Sequence, residues 1–508
     1  MQKAERLVLK LAVISRFLLV SLIIIWSYIF PPYDSSAQLN PSCLSSSSTI
    51  GDSSPLTETQ ALWPRIGVAI EGSVVWDSVY FIRIAECGYE YEQTYAFLPL
   101  LPISIAFLSR SVFAPLIPVI GYRAVLALSG YVLNNLAFVL AAIYFYKLSF
   151  LILKDSAASL QASVLFCFNP ASIFYSSIYS ESLYALFSFC GIFYLFNGSN
   201  TMAMLLLGAS GTARSNGAIN AGYFCFKALL QTYDIITNNK SIRQRDASGM
   251  RSADADAVGG FRCVCIFNLF AIFLFITYYH HALALRIPNH YGARPWCKSR
   301  VPNLYGFLQS HYWGVGFLRY FEVKQLPNFL LASPILTIAI ASIVHYARLL
   351  RQTPPSFKKT SDLTKNLHGK DLSRETISSN IISSTAEFTG RLGLHRRRSE
   401  KKTKYLENFC KLKLQMKSFI KVKQGYCSLL VFPFILHLGF MTFMVLFVMH
   451  VQVATRFLSA SPPIYWFASY MMLSPGTGSR RMTHLIWSYC AAYILLGSLL
   501  FSTFYPFT

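Results

Sequence analysis

The chain has 508 residues, of which 54% are hydrophobic and 13% are charged, and its formal net charge is +23. A soluble domain has about 25% charged residues, so this composition excludes an ordinary soluble protein and indicates a membrane protein with many spans. About half of the net positive charge lies in residues 351–423, which contain 18 Lys and Arg against 6 Asp and Glu without interleaved aromatic residues. This pattern favours an anionic membrane surface as the partner and argues against nucleic acid.

The first apolar segment follows a basic N-terminus and ends at Phe30-Pro31-Pro32. No small-residue cleavage pattern follows it at once, so we predict a retained first span whose start is cytosolic. Because about 20 apolar residues cross a bilayer as a helix, the sequence predicts an all-α polytopic membrane protein with about 11 transmembrane helices. The predicted spans are roughly 11–30, 98–120, 122–147, 158–179, 183–197, 202–227, 261–285, 327–350, 424–449, 463–475 and 484–506.

Three of these spans are weak. Residues 98–120 contain four prolines, and segments 183–197 and 463–475 are short. Each of the three is therefore either a tilted crossing helix or a re-entrant element.

The basic residues predict the sidedness of the chain. If the N-terminus is cytosolic and all eleven segments cross, the basic stretches 228–260, 351–423 and 478–481 all fall in the cytosol, as the positive-inside rule requires. The same scheme places 31–97, 286–326, 450–462 and the sequon Asn197-Gly-Ser199 on the luminal side.

Three regions follow from this scheme. Residues 1–350 form an N-terminal transmembrane region with a luminal catalytic loop at 31–97 and a second luminal loop at 286–326. Residues 351–423 form a basic cytosolic loop, disordered or bound to the membrane surface. Residues 424–508 form a C-terminal transmembrane region.

The first luminal loop has four carboxylates among aromatic residues, within 76–92. A carboxylate beside a membrane is costly unless it is solvated or paired, which makes it a functional candidate. The alternative is a solvated loop with interfacial aromatic residues. The pair Trp76-Asp77 and the proline-containing apolar stretch 96–102 behind it favour a site.

The other two luminal loops contain cationic and aromatic residues. Together the three loops hold the groups needed for glycosyl transfer from a lipid phosphate: a carboxylate that accepts a hydroxyl proton, cations that neutralise a phosphate, and aromatic faces for sugars. The alternatives are snorkelling of Arg and Lys, interface anchoring of Trp313 and Trp466, and a local pair between Arg319 and Glu322.

Arg214 is the most unusual cation, because it lies within an otherwise apolar segment. A buried arginine needs an anionic partner, either Glu181 or a ligand phosphate. The predicted spans put Glu181 near the cytosolic edge, which weakens the first option unless 183–197 is re-entrant.

Several chemistries have no support. Phosphate-loop, nicotinamide and zinc-peptidase motifs are absent, and Asp254-Ala255-Asp256 is a coincidental match to a metal-binding motif within a basic loop. Cys263 and Cys265 lack a second ligand pair for zinc. The sequence motifs therefore give no support to a phosphate-loop, nicotinamide or zinc site. Cys43, Cys87 and Cys297 face an oxidising lumen in this scheme, with their pairing left open.

The chain resembles the second mannosyltransferase of glycosylphosphatidylinositol (GPI) assembly, the PIG-V family, over most of its length. The resemblance rests on residues 76–102, 179–181, 213–217, 295–297, 312–331, 450–457 and 463–467. It implies a multispanning helical bundle of the GT-C type in the endoplasmic reticulum membrane, with luminal loops forming the active site. It also implies transfer of mannose from dolichyl-phosphate mannose, in α-1,6 linkage and with inversion, to the GPI glycolipid precursor. Because dolichyl phosphate is a good leaving group and side chains supply the cations, this reaction is expected to need no metal and no other cofactor.

The resemblance assigns roles to individual residues. Asp77 is the expected catalytic base or acceptor-orienting group, and Glu86 is a second candidate. Arg456 and Arg214, helped by Lys324, are expected at the donor phosphate. The remaining residues expected to bind substrate are Trp76, Glu181, Tyr312, Trp313, Arg319, His450 and Gln452.

Two other functions remain alternatives. A multispanning lipid transporter or scramblase would also have many spans and intramembrane arginines, but it should show related halves, and the sequence has no such symmetry. A non-catalytic subunit of a glycosyltransferase complex would tolerate the loss of Asp77. Membrane lipids are partners in every case, and an accessory membrane subunit is left open.

Overall fold

The computed structural model describes residues 2–31, 33, 43, 61–239, 304–352, 426, 428–474 and 477–505. Within these ranges all regular secondary structure is helical and no strand occurs. The helices are α1 (Gln2–Ile29), α2 (Pro64–Gly72), α3 (Ser78–Cys87), α4 (Leu100–Arg110), α5 (Ile117–Ile120), α6 (Tyr122–Leu153), α7 (Ser156–Cys167), α8 (Ser172–Ser176), α9 (Glu181–Phe196), α10 (Asn200–Ala213), α11 (Ala221–Asn239), α12 (Leu304–Trp313), α13 (Leu326–Gln352), α14 (Phe432–Phe447), α15 (Ala454–Leu458), α16 (Pro462–Leu473) and α17 (Thr477–Ser502).

Five helices in the described ranges are long and apolar enough to span a bilayer: α1, α6, α13, α14 and α17, where α13 and α14 are counted with the short 3-10 turns before them. The bent pair α4–α5 makes a sixth if it is one span. The prediction of an all-α polytopic membrane protein is therefore confirmed. The predicted span 261–285, residues 286–303 of the second luminal loop and residues 353–423 of the basic loop lie outside the described residues.

The α4–α5 pair bends by 67° and its end packs against α2. The backbone N–H of Trp63 donates to the carbonyl of Val119 at 2.8 Å, and a Cβ on Gly67 would lie 2.2 Å from the carbonyl oxygen of Ile120. At the start of α6, Arg123 pairs with Glu86 of α3 at 2.9 Å. The end of the pair thus lies beside α2 and α3, helices of the first predicted luminal loop, which favours the re-entrant option of the two that the prolines indicated.

The predicted span 158–179 is wrong as a single helix. Helix α7 has 12 residues and stops at Asn169-Pro170, because a residue before proline is disfavoured in the helical conformation. The Asn169 side chain closes the turn by donating to the Phe166 carbonyl and accepting from the Ala171 N–H, each at 2.8 Å. The chain then reaches Glu181 through the five-residue helix α8 and a non-helical stretch.

The predicted span 202–227 is also wrong as a single helix. Helix α10 lies antiparallel to α9, with Gly191 against Leu207, and it ends at Arg214. After a 3-10 turn at 215–220, α11 runs back, and Lys227 donates to the Leu195 carbonyl at 2.9 Å near the far end of α9. A polar break inside the apolar run thus reverses the chain direction.

Two features locate the site in the bundle: an aromatic stack in the core and a hydrogen bond between two helix ends. Phe138, Phe145 and Phe166 stack with centroids 4.9–5.1 Å apart in the core between α6 and α7. At one end of the bundle, Trp26 near the end of α1 donates to Ser498 near the end of α17 at 3.0 Å. The ends of α1 and α17 therefore meet, and the turn before α3 lies against them.

Candidate active site

The turn before α3 orients Asp77. Trp76 has a positive φ of 56°, which is uncommon for a residue with a side chain and indicates a constrained turn. Its indole donates to the Phe501 carbonyl at 3.2 Å and stacks on Phe504 at 5.2 Å. The backbone N–H of Asp77 donates to the Tyr179 hydroxyl at 3.1 Å. These contacts fix the backbone while the carboxylate faces the interior of the bundle.

Asp77 belongs to an ion-pair cluster of four residues: Asp77, Arg456, Glu181 and Arg214. The Nη1 of Arg456 lies 2.9 Å from Asp77 Oδ2, although 379 residues separate them along the chain. The Nε of Arg456 lies 2.8 Å from Glu181 Oε1, and the same oxygen is paired with Arg214. The cluster has two positive and two negative groups, so its side chains are balanced in charge.

Glu181 is the centre of this cluster. It is 2% exposed, and its Oε1 pairs with both arginines. Its second oxygen, Oε2, is buried and accepts no hydrogen bond. The sequence had left open whether Arg214 meets Glu181 or a ligand phosphate. In the structure Glu181 is the partner, and the expectation that Glu181 lies at the edge opposite to Asp77 is wrong, because α9 begins beside Asp77.

Electrostatics keep Arg456 charged. Burial lowers its pKa, but the carboxylates of Glu181 and Asp77 outweigh that effect, so the net pKa lies above the ordinary value for arginine. The guanidinium also lies 5.1 Å from the Tyr179 ring and 5.3 Å from the Phe174 ring, within the range of cation–π attraction. Burial and the Asp77 charge raise the pKa of Tyr80, so that phenol stays neutral beside the cluster.

A cavity of about 410 Å³ opens on the cluster, which is within the usual size of a ligand pocket. Asp77, Arg214 and Arg456 are at one wall, and aromatic and polar side chains from α12 and the 3-10 turn at 451–453 form the other. Lining residues include Trp76, Asp77, Phe97, Tyr179, Arg214, Tyr305, Gln309, Trp313, His450, Gln452, Arg456 and Phe457.

Most of the predicted site residues meet at this cavity. Two of the polar ones have defined partners: Gln452 accepts from the Tyr320 hydroxyl at 3.0 Å, and His450 stacks on Tyr320 at 4.5 Å. Trp313 packs edge-to-face on Phe97 at 6.1 Å. The predicted residues that line the cavity are Trp76, Asp77, Arg214, Trp313, His450, Gln452 and Arg456, with Glu181 buried behind them.

Four predicted residues have other partners and do not line the cavity. Glu86 pairs with Arg123, and Tyr312 donates to Glu92 at 3.0 Å. The remaining two are Arg319, which donates to Ser310 at 3.0 Å, and Lys324, which is largely exposed and pairs with Glu322 at 2.5 Å. Residues 314–321 are not helical, so Arg319 and Glu322 do not form the local helical pair that the sequence allowed.

Tyr305 is a lining residue that the sequence did not point to. It is on α12, and its hydroxyl lies 2.9 Å from Ser215 Oγ in the turn that follows Arg214. This contact joins the second predicted luminal loop to the Arg214 turn. No charge or motif marks Tyr305, so only its closeness to Trp313 in the sequence was a signal.

The structure also resolves one cysteine pairing. Cys43 and Cys87 form a disulfide with a Cα–Cα distance of 5.5 Å, and Cys87 is the last residue of α3, which Asp77 precedes. Among the described residues, the one group with several metal-binding atoms close together is Cys43, Cys87 and Glu90. Its sulfurs are consumed by the disulfide and Glu90 pairs with Arg83 at 2.6 Å, so this group is not a metal site.

A multispanning helical protein with a carboxylate and two arginines at one cavity fits a membrane-embedded transferase. A family model described as mannosyltransferase (PIG-V) matches residues 3–508. The chain therefore belongs to the mannosyltransferase (PIG-V) family.

Curated relatives agree with this assignment. The chain is 29% identical to GPI mannosyltransferase 2 of Drosophila pseudoobscura pseudoobscura, with 87% of each chain covered. It is 28% identical to human GPI alpha-1,6-mannosyltransferase 2, with 81% of this chain and 75% of the human one covered. It is 26% identical to the Cricetulus griseus protein of the same name, with 99% of each covered. No solved structure matches the chain significantly.

Proposed function

We propose that this protein transfers mannose from dolichyl-phosphate mannose to the GPI glycolipid precursor, adding the second mannose in α-1,6 linkage in the endoplasmic reticulum. The names of its relatives support the acceptor and the linkage. The observation that carries the chemistry is the ion pair between Asp77 and Arg456 at a cavity of about 410 Å³. A base and a phosphate-binding cation at one cavity are what such a transfer needs.

The proposed compartment is the lumen, and two observations support it. The disulfide at the end of α3 favours an oxidising compartment on the Asp77 side. The opposite ends of α1 and α17 have Lys3, Arg6, Arg480 and Arg481, as expected for cytosolic ends. Asn197 is at the end of the 16-residue helix α9 remote from Glu181, about 24 Å along the helix axis, so we assign its sequon to the cytosol.

The proposed fold type is a GT-C helical bundle with about eleven crossings. The re-entrant α4–α5 pair removes one of the crossings predicted from the sequence, and the division of 202–227 into α10 and α11 adds one. The two changes cancel, so the proposed sidedness of the two basic stretches 228–260 and 351–423 stays cytosolic. Segment 261–285 keeps its place in the count as a prediction.

In the proposed reaction Asp77 accepts the proton of the acceptor hydroxyl as its oxygen attacks the anomeric carbon of mannose. The bond from that carbon to the phosphate oxygen breaks, and dolichyl phosphate leaves with the electron pair. One displacement inverts the configuration from a β-linked donor to an α-linked product. General-base help of this kind contributes about 10²–10⁴-fold to the rate.

Arg456 has the central part in this mechanism. Its Nη1 donates a hydrogen bond to the Asp77 carboxylate. A donor phosphate bound at Arg456 shares or replaces that hydrogen bond, which leaves Asp77 available to the acceptor hydroxyl. Arg214, on the other side of Glu181, is the second cation for the phosphate. We propose that side chains supply the positive charge without a metal or other cofactor. Trp313 and Trp76 are the proposed sugar contacts at the cavity walls.

The test is complementation of a cell that lacks the second GPI mannosyltransferase, followed by profiling of its GPI glycolipids. We expect conversion of the accumulated one-mannose glycolipid to the two-mannose form. A chain that reaches the membrane and leaves the one-mannose glycolipid unconverted contradicts the proposal. Accumulation of an unmannosylated precursor on the cytosolic face when the chain is lost from its own organism supports a transporter instead.

A further inference from the structure

Residues 168–180, which we call the broken segment, interrupt the helical bundle between α7 and α9. Helix α7 follows the long helix α6 and has 12 residues, about 18 Å, which is shorter than a hydrocarbon core of about 30 Å. The end of α7 meets Arg16, in the middle of the first span. The broken segment therefore begins at membrane depth, where unpaired backbone carbonyls are costly and need donors from the protein.

Arg16 supplies the first of these donors. Its guanidinium donates to the Ser172 carbonyl at 3.1 Å and to Ser176 Oγ at 2.9 Å, and it lies 3.7 Å from the centroid of the Phe138 ring. Arg16 is 4% exposed, and its hydrogen-bond partners are neutral oxygens. An arginine inside a span usually marks a function rather than a packing preference.

Two adjacent asparagines of α6 supply further hydrogen-bond donors to the carbonyls of the broken segment. The Asn134 amide donates to the carbonyls of Ser177 and Tyr179 at 2.5 and 2.9 Å, and Asn134 is fully buried. The Asn135 amide donates to the Ser176 carbonyl at 3.1 Å. The Asn134 side chain thus holds the Tyr179 carbonyl, and it holds the Ser177 carbonyl together with the Tyr179 N–H, which donates to the same oxygen at 2.9 Å.

We infer that Asn134 and Arg16 are positioning residues for the active site, acting through the broken segment. Asn134 donates a hydrogen bond to the Tyr179 carbonyl, and the Tyr179 hydroxyl accepts a hydrogen bond from the Asp77 backbone N–H. Two residues further on, Glu181 pairs with both arginines of the ion-pair cluster. A shift of the segment therefore displaces the base and both cations together. The inference rests on the proposed function for its activity readout.

The first test compares Asn134→Leu with the wild-type full chain purified in detergent. The leucine fills a similar volume but leaves the Ser177 and Tyr179 carbonyls without that donor. We expect kcat to fall about 10- to 100-fold, because misplacement of catalytic groups by about 1 Å has effects of this size. Ser129→Ala removes a buried hydroxyl of α6 whose one side-chain hydrogen bond among the described residues is to the Val125 carbonyl of its own helix. It is the matched control, with near-normal kcat.

A double-mutant cycle separates positioning from general destabilisation. If Asn134 acts by placing the Tyr179 hydroxyl, Asn134→Leu already weakens the hydrogen bond between that hydroxyl and the Asp77 N–H. Adding Tyr179→Phe to Asn134→Leu should then change kcat by no more than about threefold, because it removes a contact that is already lost. In a second cycle, Asn134→Leu is combined with Trp313→Phe on α12, and the fold losses in kcat of the two single variants should multiply. Multiplication in the Tyr179 cycle as well overturns the inference.

A readout without turnover completes the test. Hydrogen–deuterium exchange at the amides of 177–183 should rise at least about tenfold in Asn134→Leu and in Arg16→Gln, and stay at the wild-type rate in Ser129→Ala. Unchanged exchange at 177–183 overturns the inference even if kcat falls. If the wild type shows no mannosyl transfer, the proposed function fails, and the exchange data still decide the inference. Asn134→Ser, a smaller change, replaces Asn134→Leu if the latter does not fold.

Discussion

Two neighbouring stretches of the chain are built in opposite ways. Helix α6 is 32 residues long and continuous, so its backbone bonds are satisfied within the helix. Residues 156–180 pass beside it as a short helix, a turn, a five-residue helix and a non-helical end, held by side chains of α1 and α6. The continuous helix gives a rigid frame, and the broken stretch delivers Tyr179 and Glu181 to the cavity.

The same contrast holds at Arg214. Helices α9 and α10 pack closely along their length, while the break after α10 places Arg214 against Glu181. Both breaks are polar, the first ends at the ion-pair cluster with Glu181, and the second begins there with Arg214. In this bundle the regular spans support the structure and the interruptions hold the proposed chemistry.

The largest combined loss of activity and stability should come from the residue that joins the two breaks, Glu181. Glu181→Gln leaves Arg214 and Arg456 without their shared carboxylate, and losing one partner of a buried ion pair costs about 3–5 kcal/mol. We expect transfer activity to fall by more than about 100-fold and the unfolding temperature in detergent to fall clearly. Glu322→Gln is the control, since it removes an exposed pair with Lys324 that contributes little. Equal behaviour of the two variants would refute the central role of Glu181.

The next effect concerns the disulfide at the end of α3. Cys87→Ser removes the link to Cys43, and a disulfide typically stabilises by about 2–4 kcal/mol. The unfolding temperature should fall, and the unreduced, unfolded chain should take up one more maleimide–polyethylene glycol label, at Cys43, seen as a mobility shift in non-reducing electrophoresis. Cys490→Ser, at a buried thiol of α17 outside any disulfide of the described residues, should lower the unfolding temperature much less. An unchanged temperature in Cys87→Ser would contradict a stabilising disulfide.

A smaller effect tests the close approach at the second break. A Cβ on Gly217 would lie 2.3 Å from the Ser210 carbonyl oxygen, so Gly217→Ala forces the turn after Arg214 to move. Overpacking of this kind costs about 1–3 kcal/mol, and we expect kcat/KM to fall about tenfold. Gly222→Ala is the matched control, because the space around a Cβ at Gly222 is open for 4 Å. If Gly217→Ala behaves like Gly222→Ala, the turn is not tightly packed.

The smallest expected effect is none at all. With Asn197 on the cytosolic side, Asn197→Gln should not change the electrophoretic mobility of the chain expressed in a eukaryotic cell. A sequon created in the loop 31–97 by Ser47→Asn is the positive control, since it should be glycosylated. Loss of a glycan in Asn197→Gln would place the far end of α9 in the lumen and reverse the proposed sidedness.

The sequence predicted the meeting of distant groups better than the course of the chain between them. Asp77 stood out as a carboxylate beside apolar residues, and Arg214 as a cation that needs an anion, so charge in an apolar context indicated that partners exist. Hydropathy did not predict that α7 stops before Asn169 or that the chain reverses direction at residues 215–220, between α10 and α11. An apolar run gives the same signal whether it continues or turns back, because hydropathy measures burial and not chain direction.

The partners of the peripheral charges were also beyond sequence reasoning. Glu86 and Lys324 resemble Asp77 and Arg456 in residue type and in their nearness to the membrane. Only the fold shows that Arg123 pairs with Glu86 and that Lys324 is exposed on a turn. Their distinction from the site residues depends on contacts between helices that no local pattern encodes.

The central claim is that Asp77, and not another carboxylate of the same loop, is the catalytic base. The most direct measurement is mannosyl transfer by purified Asp77→Asn and Glu86→Gln at matched amounts of folded protein. We predict that kcat falls about 10²–10⁴-fold in Asp77→Asn, the usual contribution of a general base, and stays within about threefold of wild type in Glu86→Gln. Near-normal kcat in Asp77→Asn, or a comparable loss in Glu86→Gln, would contradict the assignment of Asp77 as the base.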